Sequence, residues 1–120
     1  YISILGELEN MANFYNSIDF SLICSTYGEA FPNVIAESMS CGTPCISTNI
    51  GDAKLIIGKF GWIIKSPDSQ SLLNKIKELT KIKNPKYKKI SQEGRNRIEF
   101  KYNIQKMIAS YQKIYKNTKN

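Results

Sequence analysis

At 120 residues the chain has room for one domain with a real core. Its 42% hydrophobic and 22% charged content is ordinary for a globular protein, and no run approaches 18 consecutive apolar residues, which excludes a membrane-spanning helix. The net charge of +7 is lopsided: residues 1–79 carry five Lys against eight acids, whereas residues 80–120 carry twelve Lys and Arg against Glu93 and Glu99, a balance that suits an anionic surface or ligand unless it is merely a solvated face.

Tyr1-Ile2-Ser3-Ile4-Leu5-Gly6 opens the chain with neither an initiator Met nor a basic, apolar leader. Ile2–Leu5 reads as a short strand ending at Gly6, so the expectation is a segment that starts inside a larger protein and carries no signal peptide. Leu8, Met11, Ala12 and Tyr15 follow at helical spacing, with Asn16-Ser17 as the exit. Asp19–Ser25 reads as a second strand, apolar enough to be buried. Tyr27-Gly28-Glu29-Ala30 is a loop, and Pro32 stands where a first helical position would be. A helix then runs to about Ser40 and stops at Cys41-Gly42.

Pro44–Thr48 is the third strand. Gly51 makes a turn, Asp52–Ile57 a short helix capped by Asp52, and Gly61–Ile64 the fourth strand. Ser66-Pro67-Asp68 starts a helix with Leu72, Leu73, Ile76 and Leu79 on one stripe. Two more helices are expected over 86–99 and 103–116. Tyr87, Tyr102, Tyr111 and Tyr115 interleave with lysines there, and the i, i+4 spacing of Tyr111 and Tyr115 reads as core rather than as a base-stacking surface. Strands alternating with helices over short loops predict an α/β fold, a Rossmann-like, doubly wound parallel sheet with C-terminal helices. The domain is expected over 1–120 and the C-terminal helical part over 86–120.

Cys24, Cys41 and Cys45 are odd in number, and the chain has no His, so a zinc site would lack its fourth ligand. All three are expected to be buried, reduced thiols of an intracellular protein.

Parallel sheets of this kind bind ligands beyond the carboxyl ends of their strands, which directs attention to the loop Ser25–Phe31. On the helix that follows, Asn33, Glu37 and Ser40 fall at i, i+4, i+7 on one face, with Ile35, Ala36 and Met39 turned towards the sheet. Helical side chains lean back towards the N-terminus, so Glu37 is expected to project towards the loop carrying Glu29. Two carboxylates would then flank a helix N-terminus whose free N–H groups, at about Phe31 to Val34, accept phosphate oxygens. Carboxylates repel phosphate but accept hydrogen bonds from sugar hydroxyls, each worth roughly 1.5–3 kcal/mol. The pattern fits a ligand with a diphosphate between two sets of hydroxyls. With seven Glu in the chain, chance alone gives about 0.3 pairs at a spacing of eight, so the surrounding residues carry the signal.

Those residues, Glu29-Ala30-Phe31-Pro32-Asn33 before the helix and Glu37-Ser38-Met39-Ser40-Cys41-Gly42-Thr43-Pro44 after it, resemble the Glu-x7-Glu signature of glycosyltransferase family 4, the group 1 glycosyltransferases of GT-B fold. The likeness extends over Ile4–Gly6, Asp19-Phe20, Thr48-Asn49-Ile50-Gly51, Gly61-Trp62 and Pro67-Asp68. It implies the C-terminal, donor-binding half of a GT-B enzyme that transfers a glycosyl group from a nucleotide diphosphate sugar with retention, without a cofactor and usually without a metal. By the same resemblance Glu29 sits by the donor hexose as the catalytic candidate. Ala30, Phe31, Pro32, Asn33 and Val34 line diphosphate and sugar, and Glu37 holds the ribose. Asp52, Lys54 and Leu55 depart from the family's usual residues, so this rim of the pocket is expected to differ.

The family's phosphate-binding Arg and Lys and its acceptor domain would lie upstream of Tyr1, and the 120 residues alone are expected to be inactive. The implied partners are a nucleotide-sugar donor, a glycan or lipid-linked acceptor and, through the basic half, an anionic membrane, with no nucleic acid. The expected setting is cytoplasmic, at the inner face of the plasma membrane, with capsule, lipopolysaccharide and glycoprotein pathways all open. Two other readings compete: a non-catalytic nucleotide or anion-binding module that does not need both glutamates, and a membrane-docking domain built on residues 80–120.

Overall fold

A computed structural model of the chain describes residues 1–118. The last two residues of the expected domain and of its C-terminal helical part lie outside the described residues. The elements are α1 (Met11–Asn16), β1 (Ser21–Ile23), α2 (Asn33–Ser40), β2 (Cys45–Thr48), α3 (Ala53–Ile57), β3 (Trp62–Ile64), α4 (Ser69–Leu79), α5 (Asn84–Lys101) and α6 (Ile104–Asn117).

The three strands form one parallel sheet in the order β1-β2-β3, with Ile46 of β2 opposite Leu22 on one side and Trp62 on the other. Every residue of β2 is buried, as a central strand covered on both faces requires. Its alternation builds two cores. Cys45 joins Ile35, Met39, Ile56, Ile57 and Ile98 under α2, α3 and α5. Ile46, the next residue, joins Ile64 and Leu79 with Phe20, Trp62 and Leu72 beneath α4. Helices on both faces make the sheet doubly wound.

Hydrogen bonds fix α2 on the sheet. Ser38, wholly buried, donates to Thr43 O at 2.8 Å, so Ser21 is the donor in the 2.6 Å contact between the two serine hydroxyls. Thr43 in turn donates to Tyr15 O at 2.6 Å, tying in α1. The helix stops where expected, with Gly42 in the left-handed region at φ +83 and its N–H on Met39 O.

Several local expectations are corrected. Ile2–Leu5 is not a strand: Ile2 and Ile4 are 96% exposed, and β propensity without a neighbouring strand to pair with does not hold a strand. The first helix begins at Met11, after Leu8, because the Asn10 side chain caps it by accepting from Asn13 N. Asp52 precedes α3 but makes no side-chain cap. Asp68 does cap α4. Bonds from Ser66 and from the Ser71 hydroxyl and amide lower its carboxyl pKa to about 2, so the cap stays charged at neutral pH. Leu73 and Ile76 of the expected α4 stripe are exposed, while Leu72 and Leu79 alone pack on the sheet.

The largest correction concerns α6. Tyr111 and Tyr115 read as core from their i, i+4 spacing, yet none of the residues of α6 is buried, and these two are 56% and 68% exposed. Periodicity specifies that a helix has an apolar face, not that the same chain covers it.

The three thiols are free, but they occupy three environments rather than one. Cys24 is exposed, Cys41 half-buried and Cys45 buried, and burial pushes the Cys45 pKa up to about 11. Thiol labelling of the native protein followed by mass spectrometry is therefore expected to modify Cys24 first, Cys41 more slowly and Cys45 only after unfolding. A Cys41–Cys45 disulfide, or Cys45 reacting as fast as Cys24, would contradict this placement.

Candidate functional site

The carboxyl end of β1 delivers the chain to Ser25, and the segment from there to α2 is held from three sides. Thr48, at the end of β2, donates its hydroxyl to Ser25 O. Asp52 N donates to Ala30 O at 2.8 Å. Gly51, at φ +45, lies so close beneath the turn that a Cβ there would overlap the carbonyl oxygens of both Glu29 and Ala30. Only glycine satisfies both the backbone angle and the contact.

The support of this turn runs on through α3. At the far end of that helix, Arg97 of α5 donates to Ile56 O at 2.9 Å and to Leu55 O at 2.7 Å, and the Tyr102 hydroxyl reaches Leu55 O at 3.2 Å. A cation on these last carbonyls complements the helix dipole. The Tyr102 ring also meets Phe31 edge-on, with centroids 5.6 Å apart. The turn, α3 and the end of α5 thus form a closed circuit.

Pro32 is the residue before α2 (φ −71, ψ 94), not its first helical residue as expected; it is buried, has no N–H and instead accepts from Ile35 N at 3.0 Å. The helix-end donors therefore reduce to Asn33 and Val34, whose N–H groups make no hydrogen bond among the described residues, with Phe31 just ahead of them.

The helix wheel is borne out. Asn33, Glu37 and Ser40 line one side of a groove of about 710 Å³, with Phe31 at its end, while Ile35 and Met39 are buried. Ala36, expected to face the sheet, is half-buried and borders the groove as well. The opposite wall comes from the end of α5 and the start of α6, where Lys101, Tyr102 and Lys106 face across to α2. The Lys106 Nζ lies 3.4 Å from the centre of the Phe100 ring.

These cations were missed as site residues in the sequence, where they were one part of a general basic excess. The signal that would have found them is the Asn103 cap, whose side chain accepts from Lys106 N and turns the chain back past α2.

Glu29 and Glu37 do not share one cavity. Glu37 is on the groove; Glu29, Ala30 and Val34 are exposed outside it, and Pro32 is buried behind. Neither glutamate side chain makes a hydrogen bond or ion pair among the described residues, so both carboxylates are available to a ligand. No group of three or more His, Cys, Asp or Glu side chains converges among the described residues.

Residues 2–97 match the family described as Glycosyl transferases group 1. The chain is similar to the N-acetyl-alpha-D-glucosaminyl L-malate synthase of Bacillus anthracis, 26% identical over 116 residues, covering 95% of this chain and 30% of that enzyme. It is also similar to the UDP-Gal:alpha-D-GlcNAc-diphosphoundecaprenol alpha-1,3-galactosyltransferase of Escherichia coli, 30% identical over 116 residues, covering 93% of this chain and 29% of that one. Among solved structures it superimposes on sucrose-phosphate synthase from Thermosynechococcus elongatus with a TM-score of 0.77 at 23% identity, over 88% of this chain and 26% of the other. The chain thus spans about 30% of the length of the curated relatives it matches, and the fold it shares with the synthase is the expected Rossmann-like sheet of the GT-B enzymes.

Proposed function

The chain belongs to the group 1 glycosyltransferases, and from that premise we propose that it is the donor-binding half of a retaining hexosyltransferase. Its donor is a nucleoside diphosphate sugar and its acceptor a glycan or lipid-linked sugar, in polysaccharide assembly of the capsule or lipopolysaccharide kind. The observation that carries the reading is the groove, where Asn33, Glu37 and Ser40 stand across from Lys101 and Lys106.

A diphosphate at the start of α2 meets the N–H groups of Asn33 and Val34 and the positive end of the helix, and the two lysines on the facing wall turn onto it to share its charge. The reading gives that charge to these groups rather than to a metal ion. Glu37, one turn along, accepts the ribose hydroxyls. Glu29, on the loop outside the groove, takes the hexose side, where the glycosidic bond breaks and charge develops. The Escherichia coli relative, named for UDP-Gal and a diphosphoundecaprenol-linked GlcNAc, supports both a nucleotide-sugar donor and a lipid-linked acceptor.

Calorimetry of the full-length protein with UDP, GDP and ADP tests the donor site. One of the three is expected to bind, and the corresponding sugar nucleotide to be consumed in transfer. The 120 residues by themselves are expected to transfer nothing, since they correspond to less than a third of each relative's length. Absence of binding by all three nucleotides overturns the reading.

Peripheral contact with an anionic membrane at the cytoplasmic face completes the proposal. No helix among the described residues is long and apolar enough to cross a membrane. The exposed stripe of α6, with Ile104, Ile108 and Tyr115, has Lys113 and Lys116 off it, the pattern of a helix lying in a lipid interface. Co-sedimentation is expected to be stronger with anionic than with neutral vesicles and to weaken with salt. Equal binding to both vesicle types counts against it.

A further inference from the structure

Tyr15 is the one residue of α1 that reaches the interior, 4% exposed, and its main chain is fixed there by the Thr43 hydroxyl on its carbonyl. Its own hydroxyl is a buried side-chain polar atom with no hydrogen-bond partner among the described residues. A buried hydroxyl left unpaired is destabilising, because it gives up its bonds to water and gains none in return. Phenylalanine would fill the same space without that cost, so packing alone does not account for a tyrosine here.

The surroundings identify an acceptor. Tyr15 sits on α1, which packs against the helix carrying Glu37; burial raises the Tyr15 pKa and the negative charge of the Glu37 carboxylate raises it further, the thiols of Cys41 and Cys45 acting less. Glu37 lies on α2 between the α1 side and the groove, exposed and bonded to nothing among the described residues. It has the freedom to turn its carboxylate onto the phenol, and thiols are poor alternatives as acceptors.

We propose that Tyr15 is a positioning residue for Glu37: the buried phenol donates to one carboxylate oxygen and holds the group at the rim of the groove. An ionised carboxylate offers about four acceptor sites, so one bond to Tyr15 leaves enough for two vicinal hydroxyls of a ribose. The gain is pre-organisation, because a long, exposed side chain no longer has to be ordered when the ligand arrives. The inference rests on the reading of Glu37 as the ribose acceptor.

The test compares Tyr15→Phe, Glu37→Gln and the double variant in the full-length protein, titrating UDP, GDP and ADP and following donor KM and kcat. Tyr15→Phe is expected to stay folded, melting near or slightly below the wild-type temperature, while raising the nucleotide Kd and donor KM about tenfold, with kcat little changed. In the Tyr15→Phe background, Glu37→Gln is expected to cost much less than it does alone. If Glu37→Gln weakens binding and Tyr15→Phe does not, the inference falls and the donor site stands. If Glu37→Gln binds as wild type does, the ribose assignment falls and the inference with it. A crystal structure of the wild-type protein decides the point even if a variant fails to fold. Tyr15 Oη within hydrogen-bond distance of the Glu37 carboxylate supports the inference, and an Oη bonded elsewhere or still unpaired overturns it.

Discussion

Glu29→Gln in the full-length enzyme is expected to lower kcat by about 100-fold or more while leaving nucleoside diphosphate binding near wild type. The reason lies in where the two glutamates stand. Glu29 is on the turn outside the groove, on the side assigned to the hexose. A charged group that meets only developing charge acts on the transition state, and losing one such interaction typically costs about 10²–10³ in rate. Glu37, in the groove, is assigned to a ribose that is unchanged by transfer. Glu37→Gln is expected to raise donor KM and nucleotide Kd by about 10- to 100-fold, the worth of a hydrogen bond to a charged group, with kcat less affected. Calorimetry and steady-state kinetics on both variants separate the roles. Full kcat in Glu29→Gln, or wild-type nucleotide binding in Glu37→Gln, sinks the assignment. Equal loss of rate and binding in both would point to collapse of α2, visible by circular dichroism.

Gly51→Ala is expected to reduce kcat to a similar degree although residue 51 touches no part of the proposed donor. The added methyl would occupy the space of the Glu29 and Ala30 carbonyls, at a backbone angle that alanine resists. The turn must move, Asp52 N loses its bond to Ala30 O, and Glu29 moves with the turn. A misplacement of about 1 Å in a reacting group can cost 10²-fold in rate. Stability is expected to fall by only about 1–3 kcal/mol, so the variant remains folded. Gly6→Ala is the control: Gly6 also has a positive φ, +68, but open space around it, and activity is expected to be unchanged. Wild-type turnover by Gly51→Ala would show that the turn is not held as described.

The sequence was informative where one element's own periodicity decides the outcome. The face formed by Asn33, Glu37 and Ser40 follows from a period of 3.6, the stop at Gly42 from its tolerance of positive φ, and the doubly wound parallel sheet from strands alternating with helices over short loops. It was misleading where burial depends on a partner that periodicity does not name. Ile2–Leu5 has strand composition and no strand beside it, and Tyr111 and Tyr115 have core spacing and no core. It was silent where distant segments meet. That Lys101 and Lys106 would face Glu37, that Gly51 would lie beneath Glu29, and that Tyr15 would be buried with its hydroxyl unpaired are facts of tertiary contact. No spacing within one helix records them.

Helix α3 is five residues long, too short to persist by itself, since nucleating a first turn costs more than so few bonds return. Its last carbonyls are gripped by side chains some forty residues later in the chain. The turn bearing Glu29 therefore draws part of its support from α5 through α3, so the site is a product of tertiary assembly rather than a local one. The same dependence works in reverse in the native state. A transient lift of α5 away from the sheet would release α3 and the turn together, so amide exchange at Asp52, Ile56 and Gly58, whose N–H groups bond to Ala30 O, Asp52 O and Lys54 O, should follow one shared opening.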